Sequence, residues 1–163
     1  MRVLKKIISL IYIVLVLTIS ISTLGAEGKK FNRIASLTLS GDEMILSLVD
    51  HERIVGLCGE INEEPDMSHV WKEAKKFPKI ESSIETMIEL EPDFVITADW
   101  MKKEVLLHLQ EVGANVYTYT TPKNFEEQKK LIRELASLVE EKERGEELVK
   151  DMEGRLSDLQ KQI

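Results

Sequence analysis

A single cysteine, Cys58, occurs in the 163 residues, so no intrachain disulfide can form and the fold must rest on its apolar core. Proline and glycine are sparse, at four and eight residues, and neither a low-complexity segment nor a short internal repeat is present. Positive charge is outweighed: 22 Lys and Arg against 29 Asp and Glu give a formal charge of -7. That balance lacks the basic patch of a nucleic-acid binder. The nucleotide-binding glycine motifs, Gly-x-Ser-x-Gly and Cys-x-x-Cys are absent as well, so no enzyme class is indicated. Ser40-Gly41 follows a strand and precedes a helix, but the flanking glycines of a nucleophile elbow are missing. None of His51, His69 and His108 has a catalytic context.

What remains is the composition of an ordinary globular domain, with 43% apolar and 31% charged residues. The length suits one domain with a real core. The first residues differ from the rest. Arg2, Lys5 and Lys6 precede an uncharged stretch whose strongest apolar part is "IISLIYIVLVL", followed by the smaller residues of "TISISTLGA". This order predicts a secretory signal peptide over residues 1–26, with Leu24-Gly25-Ala26 as the cleavage site. An uncleaved membrane anchor is the alternative, because the uncharged stretch nearly spans a bilayer. The serines and threonines shorten the apolar core and favour cleavage. Cleavage would remove three positive charges and no negative one, taking the formal charge from -7 to -10.

From Phe31 onward strands and helices alternate. The runs "RIASLTL", "RIVGLC", "DFVITA" and "NVYTYT" read as strands, the last more polar and nearer an edge. Ser40-Gly41-Asp42-Glu43 has capping-box spacing, which predicts Ser40 as the cap of a helix over 42–49. Ser82 and Glu85 repeat the pattern before "IETMIEL", and Pro92 forbids that helix from continuing. Gly113 fits the C-terminal cap of "KKEVLLHLQEV", and Asn124 with Glu127 fits the start of the next helix. The remainder to Ile163 is helix-forming in two stripes, with a break expected near Gly145 inside the solvated charge cluster "EEKERGEE". The helix over 70–75, containing Trp71, reads as a packing turn. Cys58, after the apolar "IVGL", reads as a buried inert thiol.

Apolar strands alternating with helices predict an α/β fold: a parallel Rossmann-like sheet flanked by helices and followed by a long C-terminal helix. Open sheets of this class bind ligands at the carboxyl ends of their strands. That places Ser40, Gly41, Gly59, Glu60, Asp99 and Trp100 on the candidate ligand rim, with Thr120 and Thr121 beside them. An exposed indole at Trp100 suits stacking on a large planar or apolar ligand; packing as a staple over the following helix is the other reading. Asp99 has two readings as well, ligand contact and helix cap.

The order of parts carries a resemblance. "RIASLTLSGDEMILSL" resembles the opening of periplasmic substrate-binding proteins of the helical-backbone class, the receptors of ABC importers for ferric siderophores, haem and cobalamin. "FPKIESSIETMIELEPDFVITA" is similar to that family's Pro-Lys turn, short helix and Pro-Asp strand. "EVGANVYTYTTPKNFEEQKKLIRELASL" looks like the strand and helix that follow. Residues 31–122 then correspond to the N-terminal lobe, and 123–163 to the helical segment leading into the helix between lobes. Glu81 stands where the family often has glycine.

The resemblance implies a non-enzymatic function with no cofactor. The protein would be exported to the periplasm or the outer face of the cytoplasmic membrane. It would bind an iron complex (siderophore or haem) or cobalamin between two lobes and deliver it to an ABC permease in the cytoplasmic membrane. Glu85 matches the family's permease-docking glutamate. The second lobe would follow the long helix, so a further lobe or a partner chain is expected to complete the site. Two alternatives stand beside this reading: a zinc or manganese receptor of the same class, for which His69 is the histidine nearest the rim, and an exported interaction module that pairs through its acidic C-terminal helices.

Overall fold

Each of the four strand runs read from Phe31 onward contains a strand, and the described strands pair in parallel. The computed structural model describes residues 30–59, 66, 68–80, 84–111 and 113–162. The signal-peptide segment, Glu60, Glu81 and the Ser82 half of the second capping box lie outside the described residues. In chain order the elements are β1 (Ile34–Ser36), α1 (Leu39–Leu48), a 3-10 turn (His51–Arg53), β2 (Ile54–Cys58), α2 (Trp71–Ala74) and β3 (Lys79–Ile80). Then come α3 (Ile84–Glu89), β4 (Phe94–Ala98), α4 (Lys103–Glu111), β5 (Asn115–Tyr119), α5 (Phe125–Leu138) and α6 (Lys142–Gln160).

The sheet order is β3-β2-β1-β4-β5. The chain winds outward from β1 to β3, then returns to place β4 against the other side of β1. The order therefore reverses between β1 and β4, where Ile34, Ala35 and Ser36 lie opposite Phe94, Val95 and Ile96. The polar fourth strand of the sequence is β5, at the edge as expected.

Both central strands are buried along their whole length, as a sheet covered on two faces requires. Their side chains alternate between two cores. Ile34, Phe94, Ile96 and Ala98 pack with Ile45 and Leu48 of α1, Leu135 of α5 and Val149 of α6. Ala35, Leu37 and Val95 face the other way, onto Met87 of α3 and Leu109 of α4. The starts of the central strands are tied by Asp93, whose carboxylate accepts from the backbone N–H groups of Asn32 (2.9 Å) and Arg33 (3.0 Å). Arg33 in turn donates to the carbonyls of Leu90 and Glu91. That clamp is why an aspartate follows Pro92.

Two helix boundaries differ from the sequence expectation. Helix α1 begins at Leu39 with Thr38 as its cap, so Ser40 lies in the first turn and not at the cap. Thr38 wins because its extended backbone points the hydroxyl at the N–H of Gly41, 3.1 Å away. The break between the last two helices falls at Val139–Glu141, with Glu140 left-handed at φ 61°, and not at Gly145. Gly145 lies inside α6, where a Cβ would stand 2.5 Å from that of Ala136; it lets α6 cross α5 closely. The first turn of α6 is fixed by Arg53, a buried guanidinium that donates to Phe31 O, Val139 O and the Glu141 carboxylate. Gly113, at φ 89°, ends α4 as expected, and Asn124 caps α5 through the N–H of Glu127.

Candidate functional site

The loops that leave the strand ends enclose a cavity of about 600 Å³. It lies where the strand order reverses, the position at which open α/β sheets present their crevice. Leu37, Thr38, Leu39 and Ser40 line it after β1, Cys58 and Gly59 at the end of β2, and Ile80 at the end of β3. Trp100, Met101 and Lys102 come from the turn after β4, Val105 from α4, Met87 from α3, and Tyr119 and Thr121 from the end of β5.

The wall after β1 is held by a hydroxyl network. Ser36 Oγ donates to the carbonyl of Thr38 at 3.0 Å. Thr38 Oγ1 accepts from Gly41 N–H and shares a 2.8 Å hydrogen bond with the phenol of Tyr119. Tyr119 therefore spans from the edge strand to the start of α1. Burial pushes its phenol above the ordinary tyrosine value, hydrogen bonding from Thr38 and Ser40 pulls the other way, and the charges of Asp42 and Asp99 add to the rise. The phenol is neutral at physiological pH.

The end of β2 is held from the opposite side. Asp42 is fully buried, and both its carboxylate oxygens accept from the N–H of Cys58, at 3.1 and 3.2 Å. This charge sits in the first turns of α1, where helix dipoles favour a carboxylate. Asp42 thereby sets the position of Cys58 and Gly59 against the cavity. Cys58 is half-buried and lines the cavity, which differs from the buried thiol expected, because β2 ends there and exposes it to the opening.

Of the six rim residues predicted, the fold brings Ser40, Gly59 and Trp100 together at the cavity. Trp100 is 65% exposed, so its indole is open to the cavity mouth and is not a staple over α4. Gly41 is buried behind the rim. A Cβ there would lie 2.4 Å from Ser36 Oγ and 2.8 Å from Thr38 Oγ1, so glycine serves the packing of the cap. Asp99 is exposed in the turn beside the cavity but is not among its lining residues. Helix α4 starts at Lys103, four residues on, so Asp99 does not occupy its cap position either. Glu60 lies outside the described residues. Glu85 is exposed on the first turn of α3, away from the cavity lining.

Tyr119, Lys102, Met87 and Met101 are cavity residues that the sequence reading missed. Tyr119 was legible in part, since a hydroxyl at the end of a strand points to the rim. The methionines carried no signal, because their helix or turn position gives no distance to the strand ends. His69 lies 3.4 Å from Glu43, and His51 lies 3.2 Å from Glu73. Among the described residues no group of three His, Cys, Asp or Glu gathers to hold a metal ion.

A family model described as periplasmic binding protein matches residues 34–163. The fold is similar to that of a periplasmic heme binding protein from Pseudomonas aeruginosa, at 22% identity and a TM-score of 0.67, covering 78% of this chain and 45% of that one. It is also similar to a possible iron-binding (periplasmic solute-binding) protein from Staphylococcus epidermidis, at 22% identity and a TM-score of 0.67, covering 80% and 50%. A periplasmic vitamin B12 binding protein of Vibrio cholerae matches at 23% identity and a TM-score of 0.63, covering 81% and 51%. The chain thus spans about half the length of the solved structures it matches. No curated protein matches the sequence.

Proposed function

The chain belongs to the periplasmic binding protein family, and from that membership we propose that it is the extracytoplasmic solute-binding part of an ABC importer. Its ligand is an iron complex, siderophore or haem, or cobalamin, and it hands that ligand to a permease in the cytoplasmic membrane. The observation that carries this reading is the cavity at the switch point between β1 and β4, with the exposed indole of Trp100 at its mouth. An indole in that position offers a rigid apolar face to a large planar or apolar ligand. The residues we assign to ligand contact are Ser40, Gly59 and Trp100, with Asp99 and Glu60 in the adjoining turns.

Glu85 is the docking residue for the permease in this reading. It is exposed on α3, separate from the ligand cavity, so one carboxylate can be changed without touching the other function. Residues 1–26 direct export, 31–122 form the N-terminal lobe, and 123–163 lead into the helix that joins a second lobe, which supplies the other wall of the site. The test is equilibrium titration of the full chain with a neutral ferric trihydroxamate, a ferric tricatecholate, hemin and cyanocobalamin. Saturable binding of one class supports the receptor reading. Absence of binding to all of them contradicts it.

A further inference from the structure

The described lining of the cavity is electrostatically uneven. Its described lining residues include one cation, Lys102, and no carboxylate. Elsewhere on the protein several cations are paired: Arg53 with Glu141, Lys76 with Glu73, Lys129 with Glu126 and Glu153, Arg133 with Glu146 and Arg144 with Asp50. Lys72 and Lys75 lie over the Trp71 ring. Among the described residues no carboxylate or ring pairs with Lys102, although Asp99 is three positions earlier and Trp100 two.

The neighbours of Lys102 set the rest of the chemistry. Trp100, Met101, Met87, Val105 and Ile80 give an apolar, partly aromatic wall. The opposite wall carries hydroxyls, and Leu39 and Ser40 in the first turn of α1, whose N–H groups add positive potential without supplying a charge. One ammonium beside an apolar wall matches a ligand with a broad apolar face and a single anionic group within reach of it. It does not match a compact polyanion, whose several charges would need several cations in a partly dry cavity.

Resting on the solute-receptor reading above, we propose that Lys102 is the specificity-determining residue of this lobe, pairing with one anionic group of a ligand whose apolar face lies against Trp100. The pair would be made at the mouth of the cavity, where the flexible lysine stem lets the ammonium follow ligands of different length. Selection then works by charge: the lobe accepts an amphiphilic anion and discriminates against a neutral ligand only by the loss of this contact.

The experiment titrates the wild-type chain, Lys102→Gln and Lys102→Arg with hemin, cyanocobalamin, a neutral ferric trihydroxamate and a ferric tricatecholate, read by calorimetry. Lys102 is exposed, so both variants should fold, and thermal melts check this. The expected result is that Lys102→Gln weakens an anionic ligand by roughly tenfold or more, the size of one charge-assisted hydrogen bond, while a neutral ligand changes less than about twofold. Lys102→Arg should restore the anionic ligand. Equal weakening of charged and neutral ligands, no effect on an anionic ligand, or a wild-type chain that binds only neutral members would overturn the assignment while leaving the receptor reading intact. A wild-type chain that binds none of the four overturns both.

Discussion

Changing Gly41 to alanine is expected to destabilise the protein, against the ordinary effect of that substitution in a helix. Alanine in place of glycine in a helix interior stabilises by about 1 kcal/mol. Here the added Cβ would stand 2.4 Å from Ser36 Oγ, 2.8 Å from Thr38 Oγ1 and 3.3 Å from Ile96 Cγ2. Neither hydroxyl can move without loss. Ser36 Oγ donates to Thr38 O, and Thr38 Oγ1 both caps α1 and bonds to Tyr119. Losing the cap costs about 1 kcal/mol. Disturbing two buried hydroxyl bonds costs about 1 kcal/mol each. Set against the propensity gain, the net loss is about 2 kcal/mol. Urea unfolding followed by circular dichroism measures it, with the slope unchanged if only the folded state is affected. Ser36→Ala in the same chain removes the nearest atom and should recover part of the loss. A Gly41→Ala variant as stable as wild type, or more stable, would show that the cap is not packed as described and would refute the account of the wall after β1.

Other changes follow from the same structure. Arg53→Met should cost about 3–5 kcal/mol in chemical denaturation, because it leaves Glu141 and two carbonyls without their buried partner; a loss below about 1 kcal/mol would show that α6 does not depend on this tie. Trp100→Ala should leave stability within about 0.5 kcal/mol, since the indole is exposed, and should weaken ligand binding; a large drop in melting temperature would contradict the open indole. Glu85→Arg should abolish ligand-dependent stimulation of the cognate permease while leaving ligand affinity unchanged, and surviving stimulation would make the docking assignment wrong. The phenols of Tyr117 and Tyr119 are both raised above 10.0, chiefly by burial, with Glu134 adding to the rise at Tyr117. Their raised folded values mean that this contribution is fully present below the ordinary tyrosine value and is lost as pH rises through the folded values. Stability should therefore fall only above about pH 10, and Tyr119→Phe should lessen that fall.

The sequence made the fold legible because the sheet is buried on both faces. Strands such as "DFVITA" then read as continuous apolar runs between helical stripes. Pro92 marked a helix end because it lacks an N–H and clashes with the preceding turn, and Gly113 because without a Cβ it takes the left-handed φ of 89°. The caps were less legible: Thr38 and Ser40 both carry a hydroxyl, and only the extended backbone at Thr38 decides which one reaches an N–H. Gly145 looked like a helix break because glycine has low helix propensity, but the crossing of α5 and α6 needed a residue without a side chain there. The strand ends alone placed Ser40, Gly59 and Trp100 near the rim, and these three line the cavity. Met87 and Ile80 could not be found that way, because α3 and the two-residue strand β3 reach the cavity only through the winding of the chain.

Fluorescence of Trp100 tests the central claim most directly. The chain has two tryptophans, and Trp71 is outside the cavity lining. Trp71→Phe therefore leaves Trp100 as the sole indole at the candidate site. Titration of that variant with hemin, the two ferric siderophore types and cyanocobalamin should give a saturable change in Trp100 emission with one class of ligand, at the same concentration as calorimetric binding. Binding seen by calorimetry with no change in Trp100 emission would put the ligand elsewhere and contradict the assignment of the strand-end cavity.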